Sequence, residues 1–195
     1  MVTDQFPQVQ AAGARRRGMV MLALSAVILL GLIALLAARL VTAGQAATKA
    51  PTFSLAGKSA PDFSAALYTG APGQTFHLAA ERGKPVVINF FASWCNPCVE
   101  EAPILKAGWQ THAQRDGVVF IGIVYQDSEA NAMGFVQQYG VPYQIGSDSK
   151  GLTAISYGVS GVPETVFINR AGIVVSKYGG ALDSGTLARS IQAIL

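Results

Sequence analysis

Cys95 and Cys98 are the only two cysteines of this 195-residue chain, and Asn96 and Pro97 alone separate them. A disulfide across so short a loop would hardly restrict the unfolded chain, so the pair points to chemistry rather than to stapling. The stretch Phe90-Phe91-Ala92-Ser93-Trp94-Cys95-Asn96-Pro97-Cys98 leads from an apolar run into a helical pattern. The cysteines therefore belong in the first turn of a helix, where unpaired N–H groups and the positive dipole end stabilise a thiolate. The thiolate is the species that attacks a disulfide. Cys95, nearer the helix start, is the expected nucleophile and the more exposed and acidic of the two. Cys98 is expected to resolve the mixed disulfide. Pro97 suits an early helical position, because the N–H it lacks would be unpaired there anyway.

A zinc site needs two more ligands. The chain offers only His77 and His112, and the spacing Cys95-x2-Cys98-x13-His112 has no second histidine after it. Both histidines read as surface or hydrogen-bonded residues, and no cofactor is expected.

The elements that hold the pair follow from periodicity and turn residues. Val86 to Phe91 is a continuous apolar run, the pattern of a strand buried on both faces. A helix is expected from near Cys95 to about Gln114, a second buried strand from Val118 to Tyr125, and a helix from Ser128, as its cap, to Tyr139. Phe63 to Leu67 and Thr75 to Leu78 are short strand candidates around the turn Gly70-Ala71-Pro72-Gly73. Ser149 to Tyr157 is a weaker helical pattern. Thr165 to Ile168 and Val174 to Tyr178 form a strand pair across Asn169-Arg170-Ala171-Gly172. Asp183 or Ser184 can cap a last helix running to Leu195. Alternating strands and helices, closed by a hairpin and a helix, give an α/β domain with a mixed sheet.

Only 13% of residues are charged and 51% are hydrophobic, but much of the apolar excess lies in one segment. From Gly18 to Ala38 there are 21 uncharged residues, enough for a helix spanning a hydrocarbon core about 30 Å thick. Arg15, Arg16 and Arg17 precede it, which keeps the short tail on the cytoplasmic side and sends the rest of the chain across. The alternative is a cleaved secretory signal ending near Val41-Thr42-Ala43 or Ala43-Gly44-Gln45-Ala46, although 21 apolar residues exceed the roughly 7–15 usual for one. The expected organisation is a tail at 1–17, a transmembrane anchor at 18–38, an Ala/Thr-rich tether at 39–57 and a folded domain at 58–195. The pI of about 9.0 comes from the N-terminal part, where five basic residues face the single acid Asp4. From Lys58 onward nine basic residues face ten acids. A nucleic-acid binder needs a basic patch on the domain itself, so that class is set aside.

From Lys58 to Leu195 the chain resembles the thioredoxin superfamily, in particular the membrane-tethered TlpA, ResA and DsbE type of cytochrome c biogenesis. The matching pieces are Ala60-Pro61-Asp62-Phe63, the strand followed by Trp94-Cys95-Asn96-Pro97-Cys98, Glu101 with Pro103, and Gly161-Val162-Pro163-Glu164-Thr165. The resemblance implies a thioredoxin-like fold with an N-terminal strand extension and a central αβ insert. It implies a cis Val162–Pro163 bond facing the cysteines, and a Val162 backbone able to pair with an extended substrate. Glu101 would be the acid that exchanges a proton with Cys98, while its neighbour Glu100 reads as a solvated helix residue. Trp94, Val162, Pro163 and Glu164 would form the substrate-binding surface. Two departures stand out. Thioredoxin carries a buried Asp six residues before its first cysteine, where this chain has Asn89, so proton handling shifts toward Glu101. Phe91 stands where the family often has Trp, a change read as packing.

The function this implies is reduction of disulfides in exported proteins such as apocytochrome c, with a membrane thiol reductase as electron donor, on the extracytoplasmic side of a single-pass anchor. An oxidative folding catalyst is the main alternative. Such proteins carry a large helical insert before the cis-proline, whereas Cys98 and Pro163 are 65 residues apart, room for one extra αβ unit. A peroxidase reading meets Ala92 where peroxiredoxins place a Thr. A copper-delivery reading lacks a Met- or His-rich tract.

Overall fold

The computed structural model describes residue 24, residues 26–35 and residues 55–195. The chain divides into two compact units, Met1–Thr52 and Phe53–Leu195. In the first, residues 26–35 form helix α1, whose leucine, isoleucine and valine side chains are more than half exposed. No helix among the described residues is long and apolar enough to cross a membrane. The tail at 1–17, the remainder of the expected 18–38 span and the tether up to residue 54 lie outside the described residues.

The second unit is built around β3 (Val86–Phe91), all six of whose residues are buried. It runs parallel to β4 (Val119–Val124) and antiparallel to β6 (Glu164–Ile168). With β5 (Gln144–Ser147) beside β4 and β7 (Val174–Gly179) beside β6, the sheet order is β5-β4-β3-β6-β7. This is the expected mixed sheet of a thioredoxin-like fold. Alternation along β3 sends Val87, Asn89 and Phe91 to one face and Val86, Ile88 and Phe90 to the other. The first face packs under α2 (Asn96–His112), α3 (Glu129–Tyr139) and α5 (Ser184–Gln192), with Leu105, Phe120, Phe135, Phe167 and Ile191 in one core. The second holds Phe76, Phe90, Ile121, Ile123, Tyr157 and Val166. Phe90 and Phe167 are fully buried, each worth roughly 1.5–3 kcal/mol relative to exposure.

β1 (Ser64–Ala66) and β2 (Thr75–His77) form a separate antiparallel pair, joined by a turn in which Gly70 and Gly73 adopt positive φ. The pair leans on β5 through the bridge between Leu67 and Gly146 and the bond from Tyr68 N–H to the Ile145 carbonyl, 2.8 Å. A Cβ at Gly146 would lie 2.8 Å from that of Ala65, so this approach requires glycine.

The observed boundaries differ from the expected ones where tertiary contacts decide. Leu78 leaves its strand to open a 3-10 turn, Leu78–Glu81. The weak pattern at 149–157 shortens to α4, Leu152–Ser156, whose first N–H groups are taken by the Asp148 carboxylate. β5 was not expected as a strand: Gln-Ile-Gly-Ser has one β-forming side chain, and pairing with β4 holds it in place. The caps match expectation. Ser128 Oγ accepts from Asn131 N–H, and Asp183 accepts from Thr186 N–H.

Candidate active site

β3 delivers the chain to the sheet's C-terminal edge, and the turn Ala92-Ser93-Trp94 passes it into α2. The loop after β4 pins that turn. Ser93 N–H donates to Asp127 Oδ2 at 2.7 Å, and Trp94 Nε1 donates to the Gln126 carbonyl at 3.2 Å. Gln126 sits at φ 48°, the one non-glycine residue with positive φ among those described. Trp94 itself stays 57% exposed beside the cysteines.

Cys95 is the N-cap of α2, and its Sγ accepts a bond from Cys98 N–H at 3.2 Å. Pro97 occupies the first helical turn, as expected. The cysteines are joined as a disulfide, so Cys95 Sγ stands where the thiolate of the reduced pair would receive the same N–H and the same end of the helix dipole. Cys95 is 4% exposed and Cys98 3%. The expected difference in exposure is absent from this oxidised form; the helix-end environment separates the two sulfurs instead.

Glu101 lies one turn after Cys98 and is 1% exposed, whereas Glu100 faces solvent. Thr165 Oγ1 donates to Glu101 Oε1 at 3.1 Å and accepts from Asn89 Nδ2 at 3.0 Å. Asn89 also makes a long 3.5 Å contact to Glu101 Oε2. Asn89 uses only an acceptor site of the hydroxyl, which leaves its hydrogen available to the carboxylate. Burial raises the Glu101 carboxyl from 4.5 to about 7, against the opposing pull of the bonds from Thr165, Asn89 and the Leu182 backbone. Tyr143, pushed up by burial and by the charge of Glu101, bounds with Asn89, Cys98 and Ala102 a cavity of about 10 Å³.

The Val162–Pro163 bond is cis, as the resemblance implied. Glu164 pairs with Phe90 near the end of β3, so this bond lies beside the point where the chain leaves for Cys95. Gly180 N–H donates to the Pro163 carbonyl at 2.8 Å. Glu164 turns inward, with Ser160 and Lys177 on its carboxylate. The histidines are occupied elsewhere: His77 bonds Ser64 on the hairpin, and His112 pairs with Asp116 at the far end of α2.

Sequence reasoning named Cys95, Cys98, Glu101, Trp94, Val162, Pro163 and Glu164 but missed Thr165, Asp127 and Lys177. Thr165 carried a usable signal. It follows Glu164 in a strand, so alternation puts it on the opposite face, toward α2. Asp127 and Lys177 carried none, since a loop aspartate and a lone strand lysine are ordinary surface residues until the fold brings a partner.

The Redoxin family model matches residues 55–192. The thiol:disulfide interchange protein HelX of Rhodobacter capsulatus is 32% identical over 143 residues, covering 73% of this chain and 78% of that protein. A thiol:disulfide interchange protein DsbE of Allochromatium vinosum is 33% identical over 172 residues, 87% of this chain and 92% of its own. Among solved structures, a secreted disulfide oxidoreductase of Mycobacterium tuberculosis homologous to E. coli DsbE superposes with a TM-score of 0.57 at 28% identity, over 65% of this chain and 95% of its own. With a dithiol pair capping α2 beside a cis-proline, the chain belongs to the Redoxin family, among the thioredoxin-like thiol:disulfide interchange proteins of the DsbE and HelX type, and is a thiol–disulfide oxidoreductase.

Proposed function

We propose that the protein reduces disulfides in exported proteins, apocytochrome c among them, from a membrane anchor at 18–38 with the tether at 39–57. The observation that carries this reading is an N-cap cysteine on the same helix as a buried glutamate one turn after the resolving cysteine. In the reduced state Cys95 thiolate attacks a substrate sulfur, a mixed disulfide forms, and the first substrate thiolate leaves. Cys98 then attacks Cys95 Sγ and releases the second substrate sulfur as a thiolate. Its proton passes to Glu101, whose carboxyl near 7 is poised to accept it at neutral pH. Two electrons have moved from the dithiol to the substrate, and a membrane thiol reductase restores the pair.

Substrate binding falls to the exposed face of Trp94 and to the Val162 backbone. Among the described residues no backbone hydrogen bond engages Val162, which leaves its N–H and C=O for an extended chain. The anchor is supported by the 21 uncharged residues behind Arg15-Arg16-Arg17 and by the exposed apolar surface of α1. Alignment with the Allochromatium relative extends over 87% of this chain, upstream of the Redoxin match.

A Cys98→Ala variant tests the reaction, because the mixed disulfide on Cys95 can no longer be resolved. Trapped partners should be exported proteins with paired cysteines, apocytochromes among them. Absence of any adduct on Cys95 would overturn the assignment. A reduction potential near that of strong oxidants, about −120 mV, would assign disulfide formation instead. N-terminal sequencing of the mature protein tests the anchor: a start near Ala46 or Ala47 would show cleavage.

A further inference from the structure

Glu164 was expected to touch substrate, yet its side chain is 7% exposed and its partner Lys177's is 12%. Glu164 Oε1 accepts from both Ser160 N–H, 3.0 Å, and Ser160 Oγ, 2.9 Å. The other oxygen pairs with Lys177 Nζ at 2.5 Å. Lys177 also donates to the carbonyls of Tyr157, at 3.3 Å, and Gly158. In the β6–β7 register Lys177 lies opposite Val166, so Glu164 and Lys177 are diagonal neighbours on one face. From the sheet, one anion and one cation thus hold an amide, a hydroxyl and two carbonyls of residues 157–160, just before Val162.

Backbone bonds from Gly158 and Val159 N–H to the Ile155 and Ala154 carbonyls fix the start of that segment, which leaves Ser160 and Gly161 to be held. Gly158 and Gly161 give the chain wide conformational freedom, and a Cβ at either would meet nothing within 4 Å. Packing at these glycines therefore does not fix its path. Nor does stability alone call for a buried ion pair, since well-packed apolar residues often serve as well or better. Both charged groups bond the same few loop residues, 157 to 160.

We propose that Ser160, Glu164 and Lys177 form a clasp that fixes the segment carrying Val162, and so sets how tightly an extended substrate disulfide is bound. Glu164 and Lys177 are positioning residues; they act through the loop without touching substrate. The proposal rests on the reading that substrate pairs with the Val162 backbone.

The test uses the full chain and an extended peptide whose single cysteine is held as a mixed disulfide with glutathione. The comparison is the same peptide N-methylated at the amides flanking the cysteine. With the wild type, methylation should raise KM about tenfold, the loss of one or two main-chain hydrogen bonds, with kcat little changed. In Lys177→Met the unmodified peptide should lose about the same factor in KM, and the difference between the two peptides should collapse. Lys177→Arg should restore it. If Lys177→Met does not fold, Ser160→Ala, at an exposed position, should give the same trend at about threefold. A folded variant that keeps the full difference between the peptides overturns the clasp and leaves strand pairing standing. A wild type that does not distinguish the two peptides overturns the strand-pairing reading, and the clasp with it.

Discussion

Glu101 and Glu164 are both buried acids, on opposite faces of the same sheet, and they meet different partners. Glu164 is met by a lysine and by loop donors. Glu101 is met by a threonine hydroxyl and an amide and by no salt-bridging cation among the described residues. Desolvation therefore dominates at Glu101 and lifts its carboxyl to about 7, a property suited to moving protons. An ion-paired carboxylate that also accepts two loop hydrogen bonds is suited to holding structure. Glu164 and Thr165, adjacent on β6, reach to the two clusters, so one strand end beside the cis-proline serves both.

The largest effect that can break this contrast is on stability at Glu164. Glu164→Ala leaves the largely covered Lys177 without its carboxylate, and should cost about 3–5 kcal/mol, read by urea unfolding at pH 7. A loss under about 1 kcal/mol would mean the pair behaves as an exposed one.

Glu101→Gln should act in the opposite direction. The folded-state carboxyl lies above its ordinary 4.5, so the folded protein holds this proton more tightly than the unfolded chain. The associated stability is fully present below about pH 4.5 and is lost as pH rises through about 7, amounting to about 3 kcal/mol. Glu101→Gln should therefore match the wild type near pH 4.5 and exceed it by up to about 3 kcal/mol at pH 8. Its alkylation profile should also lose the inflection near neutrality. A variant less stable than wild type at pH 8, with an unchanged thiol profile, would make Glu101 structural.

Thr165→Val sharpens the same point at smaller size. It removes the donor that favours the charged carboxylate, so the Glu101 carboxyl should move further up and the inflection of Cys98 reactivity toward higher pH. The accompanying stability loss should be about 1–3 kcal/mol from unpaired groups. The smallest stability change belongs to Trp94→Ala: within about 0.5 kcal/mol for an exposed side chain, with weaker binding of peptide disulfides in the same assay. A large drop in melting temperature would show that Trp94 Nε1 holds the Gln126 loop rather than offering a surface.

The dithiol, its helix and the buried strand before it were legible because each rests on local pattern. A six-residue apolar run, a cysteine spacing and an early helical proline are all short-range signals. Phe91 entered the core beside Phe135 without needing the family's tryptophan. β5 was not legible, because Gln144-Ile145-Gly146-Ser147 is a strand only when β4 and the hairpin bridge at Leu67 hold it. In the sequence Asn89 stands only as the loss of an acid. In the fold it gains a task, orienting the Thr165 hydroxyl toward Glu101.

The sequence by itself determined which residues exchange electrons and which end of a helix activates them, because two cysteines at that spacing after a buried strand can be reached by local folding alone. Only the tertiary structure decided the surroundings of the two glutamates. β6 crosses beside β3 and places Thr165 under α2 and Glu164 over the loop, 64 residues in sequence from Glu101 in the first case and 13 from Lys177 in the second. A carboxylate's proton affinity depends on the charges and solvent around it, and those are contributed by segments that meet only when the sheet is assembled.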